Sequence, residues 1–599
     1  MAVADAHVAD GSEKTGHVLT QSTTPVEKDP NASQVEDAHH DADGNLIYSE
    51  VDVEPEIHWR TWVALIAVWL VNFTYSQTTA GPPALLSFIA ADLNSGAMAS
   101  WILTSASISN AVLSPILSVA SDTFQARKEI LVGCCIIAFI GAAIAPGSQS
   151  TWRLIFAMTL QGVGVALCSV VYTIPAEILP RRWRPMAQAV LLAGAAASCM
   201  VAPLSLGGMI KAYGQSGWRK WFWYQTALWG SATICLIVGY RPPKRQTRYD
   251  HLSIRKKLMT LDLIGFFLFT AGLTLLISGI SLGAGEFPWG SVYTVAPLVV
   301  GIACLAALGV WEWKGTSTGM IPHAMFGAGD HSGRRFVFGC LLICFEGILL
   351  FAITVFVPIQ SQVLFTGDPV LIVARQVPFY TAAFIAANLN GYISTRLRTI
   401  RWPLMFGYLM FVVGIGAMIS VRPGQGLNAL IFNAIAGLGL GAPLALVFTA
   451  VQLAVPHSVL ATATALVASA RAIGISVFTA IFTVALNESM ASKRANRLPP
   501  AAEAAGVPPA VIPEFITAIV SGNSSVTTIP GVTTQMISAG VLASQNATAD
   551  ALQIVFAIAV PFGVIAIPMS YYLGSYRKTM NYIVEAPIEE LHSKQPAGK

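Results

Sequence analysis

Long apolar stretches recur along this chain, and their length constrains its fold more than any other feature. A helix needs about 20 mainly apolar residues to cross the hydrocarbon core of a bilayer. Stretches of that length follow one another from residue 61 to residue 574. We predict fourteen spans, at 61–79, 98–119, 129–147, 152–176, 186–210, 221–240, 261–283, 291–313, 336–358, 370–393, 403–421, 427–453, 460–486 and 550–574. The sequence therefore predicts an all-α polytopic membrane protein with 14 transmembrane helices.

The composition excludes a soluble enzyme. Of the 599 residues, 35 are Lys or Arg and 31 are Asp or Glu, so 11% are charged, against roughly 25% in an ordinary soluble domain. Hydrophobic residues make up 54% of the chain, and its mean hydropathy is +0.62. The sequence has no G-x-x-x-x-G-K-S/T loop, which excludes an ATP-driven pump. We expect no enzymatic activity and no cofactor.

The placement of bases and cysteines excludes two further kinds of partner. The bases lie in short hydrophilic breaks between apolar runs, whereas a nucleic-acid-binding surface needs them clustered on a polar face. All eight cysteines lie inside apolar runs, without the spacing of a zinc site. We therefore expect no nucleic acid and no metal, and a lipid bilayer as the surroundings.

The first 58 residues differ from the rest of the chain. They contain 13 acidic and two basic residues, a net charge of −11, while the remainder carries +15. Such a segment buries too little apolar surface to offset the entropy of ordering, so residues 1–58 are predicted to be a disordered acidic tail. They also lack the basic start and short apolar core of a signal peptide.

The loops predict which way the chain crosses the membrane. An even number of spans puts both termini on one side, and the loops of that side hold twenty Lys and Arg residues against seven on the other. Basic loops face the cytoplasm, so both termini of the multi-pass chain are predicted to be cytoplasmic. Residues 487–549 then form an external loop, in which 511–522 is amphipathic enough for an interfacial helix. Asn523 and Asn546 begin glycosylation-type triplets there.

A weak internal repeat indicates two related halves. Residues 118–128, after span two, align with 391–401, after span ten, and the Q-G-V-G of span four aligns with the A-G-L-G of span twelve. Repeat-built halves around a midplane cavity are typical of secondary transporters. The predicted domains follow: a tail at 1–58, a six-helix half at 59–240, a linker with two extra helices at 241–335, a second six-helix half at 336–576 and a cytoplasmic tail at 577–599.

Three motifs resemble the major facilitator superfamily in its fourteen-helix drug:proton antiporter form. D-T-F-Q-A-R-K at 122–128 resembles the signature between helices two and three, although Gln125 and Ala126 replace the usual Gly and Arg. A-P-L-S-L-G-G at 202–208, with Pro203, Gly207 and Gly208, resembles the antiporter signature of helix five. G-W-R-K-W-F-W at 217–223 resembles the entry to helix six.

Within that superfamily, the chain looks most like the fungal branch of trichothecene efflux pumps and siderophore-iron transporters. The resemblance covers everything after about residue 60 and implies the major facilitator fold. It also implies a proton-coupled carrier of a small, bulky organic molecule in a fungal plasma membrane, with a vacuolar or vesicle membrane as the alternative. We expect the carrier to be a monomer. Met158 stands where the family carries its coupling arginine, three residues before Gln161-Gly162. That departure puts proton coupling through span four in question.

Ionisable residues inside a span are costly and are therefore functional candidates. Glu346 in span nine is flanked by apolar residues on both sides and is our candidate for the proton-carrying group. Arg375 in span ten and Arg471 in span thirteen stay protonated, so either could hold Glu346 ionised or attract an anionic substrate. A fixed structural ion pair is the alternative for all three.

Charged residues at the cytoplasmic ends of spans two to five predict a latch between the halves. The candidates are Asp122, Arg127, Lys128, Glu177 and Arg181. Topology-setting charge would explain the bases but not the two acids among them. An ion-pair network would hold this side closed when the other side is open.

Polar and aromatic residues within spans are candidates for the substrate cavity, and their mixture suits a large, moderately polar, mostly neutral ligand. They are Asn72, Tyr75, Gln77, Tyr172, Gln360, Gln376, Tyr380 and Asn433. Three functions remain open from the sequence. Proton-driven export of a toxin, drug or secondary metabolite is ranked first, because the cavity carries little charge. Import of siderophore-bound iron by proton symport is second, and a transporter-like sensor is third.

Overall fold

The structure is a computed structural model. It describes residues 57–585 apart from 94–97, 125, 243–256, 258–260, 286, 317–318, 320–324, 326–331, 457–458 and 522–528, together with residues 39–40, 46–47 and 55. Apart from one antiparallel pair of two-residue strands, β1 (His39–His40) and β2 (Leu46–Ile47), its regular structure is helical. The prediction of an all-α protein is confirmed.

Eighteen α-helices are numbered within the described residues. They are α1 (Trp59–Ala84), α2 (Leu86–Asp92), α3 (Ala99–Phe124), α4 (Arg127–Ile144), α5 (Thr151–Val165), α6 (Cys168–Ile178), α7 (Arg184–Tyr213), α8 (Gly217–Gly239), α9 (Leu263–Gly285), α10 (Val292–Val310), α11 (Ser332–Leu364), α12 (Pro369–Ala374), α13 (Val377–Leu397), α14 (Arg401–Met418), α15 (Gly426–Ala454), α16 (Leu460–Ala504), α17 (Ile512–Ser521) and α18 (Thr534–Tyr572). We call α1–α8 the N-terminal bundle and α11–α18 the C-terminal bundle.

Twelve segments of the described chain are long and apolar enough to cross a membrane. Ten of them are single helices, while α5 with α6 and α12 with α13 each make one crossing. The helices α1 and α8 have 26 and 23 residues and coincide with the first and sixth predicted spans, but they are less apolar. The chain is thus a multi-pass membrane protein, and a total of fourteen crossings stays a prediction.

The break between α12 and α13 lies at Arg375 and Gln376. A backbone group that loses its helical partner inside a membrane must find another one within the protein. Here Asn433 of α15 donates its amide Nδ2 to the Arg375 carbonyl, 3.2 Å away. The side chain of Gln376 donates to the Thr354 carbonyl of α11 at 3.0 Å. Two of the predicted cavity residues therefore stabilise a helix break.

Small residues allow the C-terminal bundle to pack closely. A side chain at Gly437 of α15 would collide with the backbone of Phe379 in α13, and one at Gly439 with the backbone of Phe411 in α14. Close helix approach through small residues is a common means of association in membranes, where apolar burial gives little driving force. The glycine run 437–441 thus has the structural role that its spacing indicates.

The two predicted extra helices, α9 and α10, pack against each other, and α9 also packs against α3 and α16. Phe266, Phe269, Leu273 and Ile277 of α9 share a core with Ala111 and Val112 of α3. The pair therefore lies at the seam where the N-terminal bundle meets the C-terminal bundle.

The predicted external loop 487–549 is largely helical, which corrects the sequence analysis. Helix α16 continues to Ala504, and α18 already begins at Thr534. Between them α17 forms as expected, but its apolar face is covered by protein: Phe515 is 1% exposed and shares a small core with Ala502, Val507 and Ile529. We call residues 487–521 and 529–549 the outer module. The polar residues that end the apolar run do not end the helices.

Candidate functional site

A buried ion pair lies between α11 and α16. The guanidinium of Arg471 meets the Glu346 carboxylate side-on, with Nε 2.7 Å from Oε2 and Nη2 donating to Oε1 at 2.8 Å. Glu346 is fully buried. One charge-assisted hydrogen bond and one close ionic contact thus hold this buried pair together. The sequence identified both residues, and the structure brings them together.

Arg375 does not take part in that pair. Its guanidinium donates to the Gly426 carbonyl at 2.7 Å and lies 4.1 Å from the centre of the Phe365 ring. The helix break places Arg375 next to Gly426, the first residue of α15. Of the two arginines that the sequence offers as partners of Glu346, the structure therefore pairs Arg471 with it and not Arg375.

An aromatic and amide cluster lies where the two bundles meet. The Tyr75 hydroxyl is 2.5 Å from Asn72 Oδ1 and 2.7 Å from the Tyr172 hydroxyl. Asn72 in turn donates to the Leu191 carbonyl of α7. The Tyr172 ring meets the Phe448 ring of α15 edge-on, with centroids 4.9 Å apart. Three residues predicted from the sequence thus join one chain of contacts that reaches the C-terminal bundle.

The remaining cavity candidates are buried but are not all bonded to one another. The Tyr380 hydroxyl contacts Thr354 of α11 at 3.5 Å, and Gln360 is buried near the end of that helix. Gln77 is 0% exposed, and both of its amide atoms lack a hydrogen-bond partner among the described residues. A buried amide without partners is costly, which makes Gln77 a candidate ligand for a substrate polar group.

One end of the molecule, which carries Asp122, Arg127 and Arg181, is called the basic face. There Arg127 donates to Asp122 Oδ1 at 2.8 Å and also pairs with the fully buried Glu177. Asp122 Oδ2 accepts from the backbone N and the hydroxyl of Thr462, at 3.3 and 3.2 Å. Since Thr462 lies in the first turn of α16, the cluster joins the two bundles. The structure therefore assembles three of the five predicted latch residues.

The other two latch candidates have different partners. Lys128 donates to the Ile237 carbonyl at the end of α8, 2.7 Å away. Arg181 pairs with Glu585, beyond the last helix, with Nε 2.9 Å from Oε1. The sequence analysis grouped both with Asp122, and the structure separates them from it.

A second junction at the basic face was missed by the sequence analysis. Arg184 donates to the Gln452 carbonyl of α15 at 2.8 Å. The Gln452 side chain donates to the Tyr172 carbonyl at 3.1 Å and accepts from Gln188 Nε2 at 3.2 Å. These residues are buried, so the polar groups of each bundle hydrogen-bond to those of the other bundle and not to water. Nothing in the sequence distinguishes Gln452 from other amides within spans.

The opposite face, which carries the outer module, also has a contact between the bundles. Lys211 at the end of α7 lies 2.6 Å from Asp368, which precedes α12. The Lys211 ammonium, with the Val370 amide, holds the pKa of the Asp368 carboxyl below its usual range. Gly207 faces α12 nearby, and a side chain at position 207 would contact the Pro369 carbonyl. The antiporter-type residues Pro203, Gly207 and Gly208 thus lie on the helix that makes this contact.

The two glycosylation candidates have different outcomes. Asn523 lies outside the described residues. Asn546 lies inside α18, half-buried, and Thr548 of its triplet is fully buried with its hydroxyl donating to the Ser544 carbonyl. Glycans are attached to the nascent chain before it folds, so glycosylation at Asn546 stays a prediction.

Comparison with known proteins assigns the family. A model of the fungal trichothecene efflux pump family (TRI12) matches residues 60–595. Efflux pump dotC of Dothistroma septosporum is 25% identical over 407 residues, 67% of each chain. MFS-type transporter prx5 of Penicillium rubens is 25% identical over 439 residues, 72% of this chain and 78% of its own.

The fold also has a solved counterpart. The structure of the major facilitator superfamily proton:xylose symporter XylE with bound 6-bromo-6-deoxy-D-glucose superposes with a TM-score of 0.52 and 12% identity. It covers 88% of this chain and 98% of that one, a likeness that concerns the fold alone. The family match confirms the resemblance drawn from the motifs. The chain belongs to the fungal trichothecene efflux pump family, within the major facilitator superfamily of transporters.

Proposed function

We propose that this protein exports a bulky, mostly neutral organic toxin or secondary metabolite, of the trichothecene type, in exchange for protons. The observation that supports this most is the composition of the buried centre. The buried polar groups of the spans are mainly aromatic hydroxyls and amides, namely the cluster of Asn72, Tyr75 and Tyr172 and the unpartnered amide of Gln77, while Glu346 and Arg471 form an ion pair of no net charge. Such a lining suits an uncharged ligand with several oxygen atoms better than a charged one.

Glu346 is the residue we propose to carry the proton. As a carboxylate it is held by Arg471, and as a neutral acid it would release that arginine. An isolated charge inside a membrane is unfavourable. Protonation of Glu346 would leave the charge of Arg471 uncompensated and would therefore favour a different packing of the helices around it. Protonation on one side and deprotonation on the other would then couple the proton gradient to a conformational change. Met158, in place of the family's arginine, leaves this acid in the C-terminal bundle as the strongest candidate.

The structure has contacts between the bundles at both ends, through Asp122–Thr462 at the basic face and Lys211–Asp368 at the opposite face. We propose that it represents an intermediate between inward-open and outward-open states. We further propose that 59–240 and 336–576 move as the two halves, with the linker 241–335 remaining at their seam. The basic face would be cytoplasmic, the membrane the plasma membrane, and the working unit a monomer.

Export can be tested by expressing the chain in a yeast strain that lacks its own multidrug pumps. We expect greater growth in the presence of a trichothecene, and proton-gradient-dependent uptake of that compound into inside-out membrane vesicles. Ferric siderophore uptake should be scored in the same strains, because import is the competing function. A strain that gains siderophore uptake without toxin resistance would overturn the export proposal.

A further inference from the structure

The chain beyond the last helix lies across the basic face in a defined path. Arg335, at the start of α11, donates to the carbonyls of Leu573 and Ser575 at 3.1 and 3.2 Å. The same guanidinium lies 4.9 Å from the centre of the Tyr576 ring, and Tyr576 and Met580 are 1% and 0% exposed. This segment is therefore anchored in the C-terminal bundle and covered by protein.

Its far end is bound to the N-terminal bundle. The backbone N–H groups of Arg181 and Arg182 donate to the carbonyls of Ile583 and Asn581, at 3.0 and 2.7 Å. Glu585 Oε1 is 2.9 Å from Arg181 Nε and 2.7 Å from Arg184 Nη2. The segment that binds in this way, residues 576–585, is called the strap.

The strap meets the buried junction between the bundles through one side chain. Arg184 is 1% exposed and contacts Glu585, the Ala176 carbonyl and the Gln452 carbonyl of the C-terminal bundle together. Removing one member of a buried ion pair leaves the other charge uncompensated, which is strongly unfavourable. Glu585 thus stabilises the arginine that holds α6, α7 and α15 against one another.

We propose that the strap is a gate of the transport cycle: with Glu585 bound to Arg181 and Arg184 it holds the basic face closed, and it must release for that face to open. The basic face cannot separate while the strap is anchored to both bundles, since Arg335 holds one end and Arg181 the other. Its transport consequence rests on the proposed function, whereas the opening of the basic face can be measured without any substrate.

The first test measures opening directly. Thr462 and Ser469 of α16 both contact α3. Ala465 lies between them on the same helix face and is 0% exposed. A cysteine at this position therefore reports on opening just inside the gate. In purified protein reconstituted in nanodiscs, with the eight native cysteines replaced, Ala465→Cys should react slowly with a maleimide. Adding Glu585→Gln should raise the rate roughly three- to tenfold, because one charge of the pair is lost while the shape is kept.

Glu129→Gln is the matched control, since it removes an exposed carboxylate from the same face. It should leave the labelling rate unchanged. Equal rates for Glu585→Gln and the parent protein would overturn the proposal. So would an equal increase with Glu129→Gln, because the effect would then come from surface charge.

The second test closes the gate permanently. The backbones of Arg182 and Asn581 are in hydrogen-bond contact, close enough for a disulfide between introduced cysteines. Oxidised Arg182→Cys/Asn581→Cys protein should lose toxin transport and show minimal labelling at position 465, and a reductant should restore both. Full transport by the cross-linked protein would contradict the gate. Failure to transport any toxin before and after reduction, with labelling still controlled by the cross-link, would count against the proposed export function alone.

Discussion

At the residue scale, the Glu346–Arg471 pair is the centre of the proposed coupling. Glu346→Gln keeps the shape of the side chain but cannot change charge. We expect transport against a gradient to fall about tenfold or more. The reason is that Gln cannot take up or release a proton, so its contact with Arg471 no longer responds to the proton gradient. Substrate binding should persist, because Gln still hydrogen-bonds to Arg471. The measurement is proton-driven uptake in inside-out vesicles compared with equilibrium binding.

Glu488→Gln provides the control, because Glu488 is an exposed carboxylate on the same helix as Arg471. It should transport like the parent protein. A Glu346→Gln protein that still transports in a pH-dependent way would place coupling elsewhere. One that fails to fold would identify the pair as purely structural.

Asp122 is the second residue whose substitution discriminates between roles. It bonds Arg127 within the N-terminal bundle and Thr462 across the seam. Asp122→Asn removes the charge but keeps a side chain that can reach Thr462. We expect normal expression and a transport rate lowered roughly three- to tenfold, as the closed state at the basic face loses population. Transport at the parent rate would show that Asp122 only sets topology.

What the sequence could predict about single residues follows from how isolated they are. Glu346, Arg375 and Arg471 are conspicuous because each is a charge inside an apolar run. Which arginine pairs with the acid could not be read from the chain, since the break before α13 decides where Arg375 lies. Gln452 and Glu585 carry no such signal, because an amide in a span and an acid in a tail are common.

At the element scale, the contact between α7 and the loop before α12 should depend on pH. The pKa of Asp368 is lowered in the folded state, so its stabilising effect is complete above the ordinary carboxyl pKa and is lost as the pH falls through the lowered value. We expect spin labels at Gln215 and Gly367 to separate or broaden only at pH values lower than the ordinary carboxyl pKa of about 3.9. High salt should act similarly, since both partners are solvent-accessible. Asp368→Asn should show the separated distribution at every pH, and a pH-independent distance in the parent protein would contradict this.

The outer module supplies a second prediction for an element. Phe515 of α17 is buried beneath Gly540 of α18. Phe515→Ala should lower the free energy of unfolding of the module by about 3–5 kcal/mol, the usual cost of emptying a buried aromatic site. Hydrogen exchange of the α17 amides would then become much faster. Val520→Ala, at a 41% exposed position of the same helix, should change little, and equal exchange in both variants would show that the module has no core.

Element boundaries show where sequence reasoning fails in physical terms. Hydropathy marks where a helix leaves the lipid, but hydrogen bonding and tertiary packing decide where it ends. Helix α16 accordingly runs 18 residues past the predicted end at 486, to Ala504. The amphipathic pattern of α17 was correctly read as a helix, yet its apolar face packs on protein because α16 and α18 extend far enough to cover it.

At the scale of the whole molecule, comparison with known proteins confirms the fold, whereas the orientation in the membrane stays a prediction. The succession of apolar spans predicted a polytopic helical membrane protein, and the motifs resembled the superfamily, whose fold the family match and the solved counterpart confirm. The conformational state could not be predicted, since one sequence serves every state of the cycle. The contacts that distinguish states, such as Asp122–Thr462 and Lys211–Asp368, join residues far apart in the chain.

Orientation is the last prediction, and it rests on the basic bias of the loops. Glu129 is exposed at the basic face and Glu514 is exposed on the outer module, so each can be changed to cysteine without disturbing a buried contact. In intact cells an impermeant maleimide should label Glu514→Cys and spare Glu129→Cys, since positively charged loops are retained in the cytoplasm. Permeabilised cells should allow both to react, which controls for the reactivity of each thiol. Labelling of Glu129→Cys alone in intact cells would invert the topology, and the direction of transport proposed for the protein would have to be inverted with it.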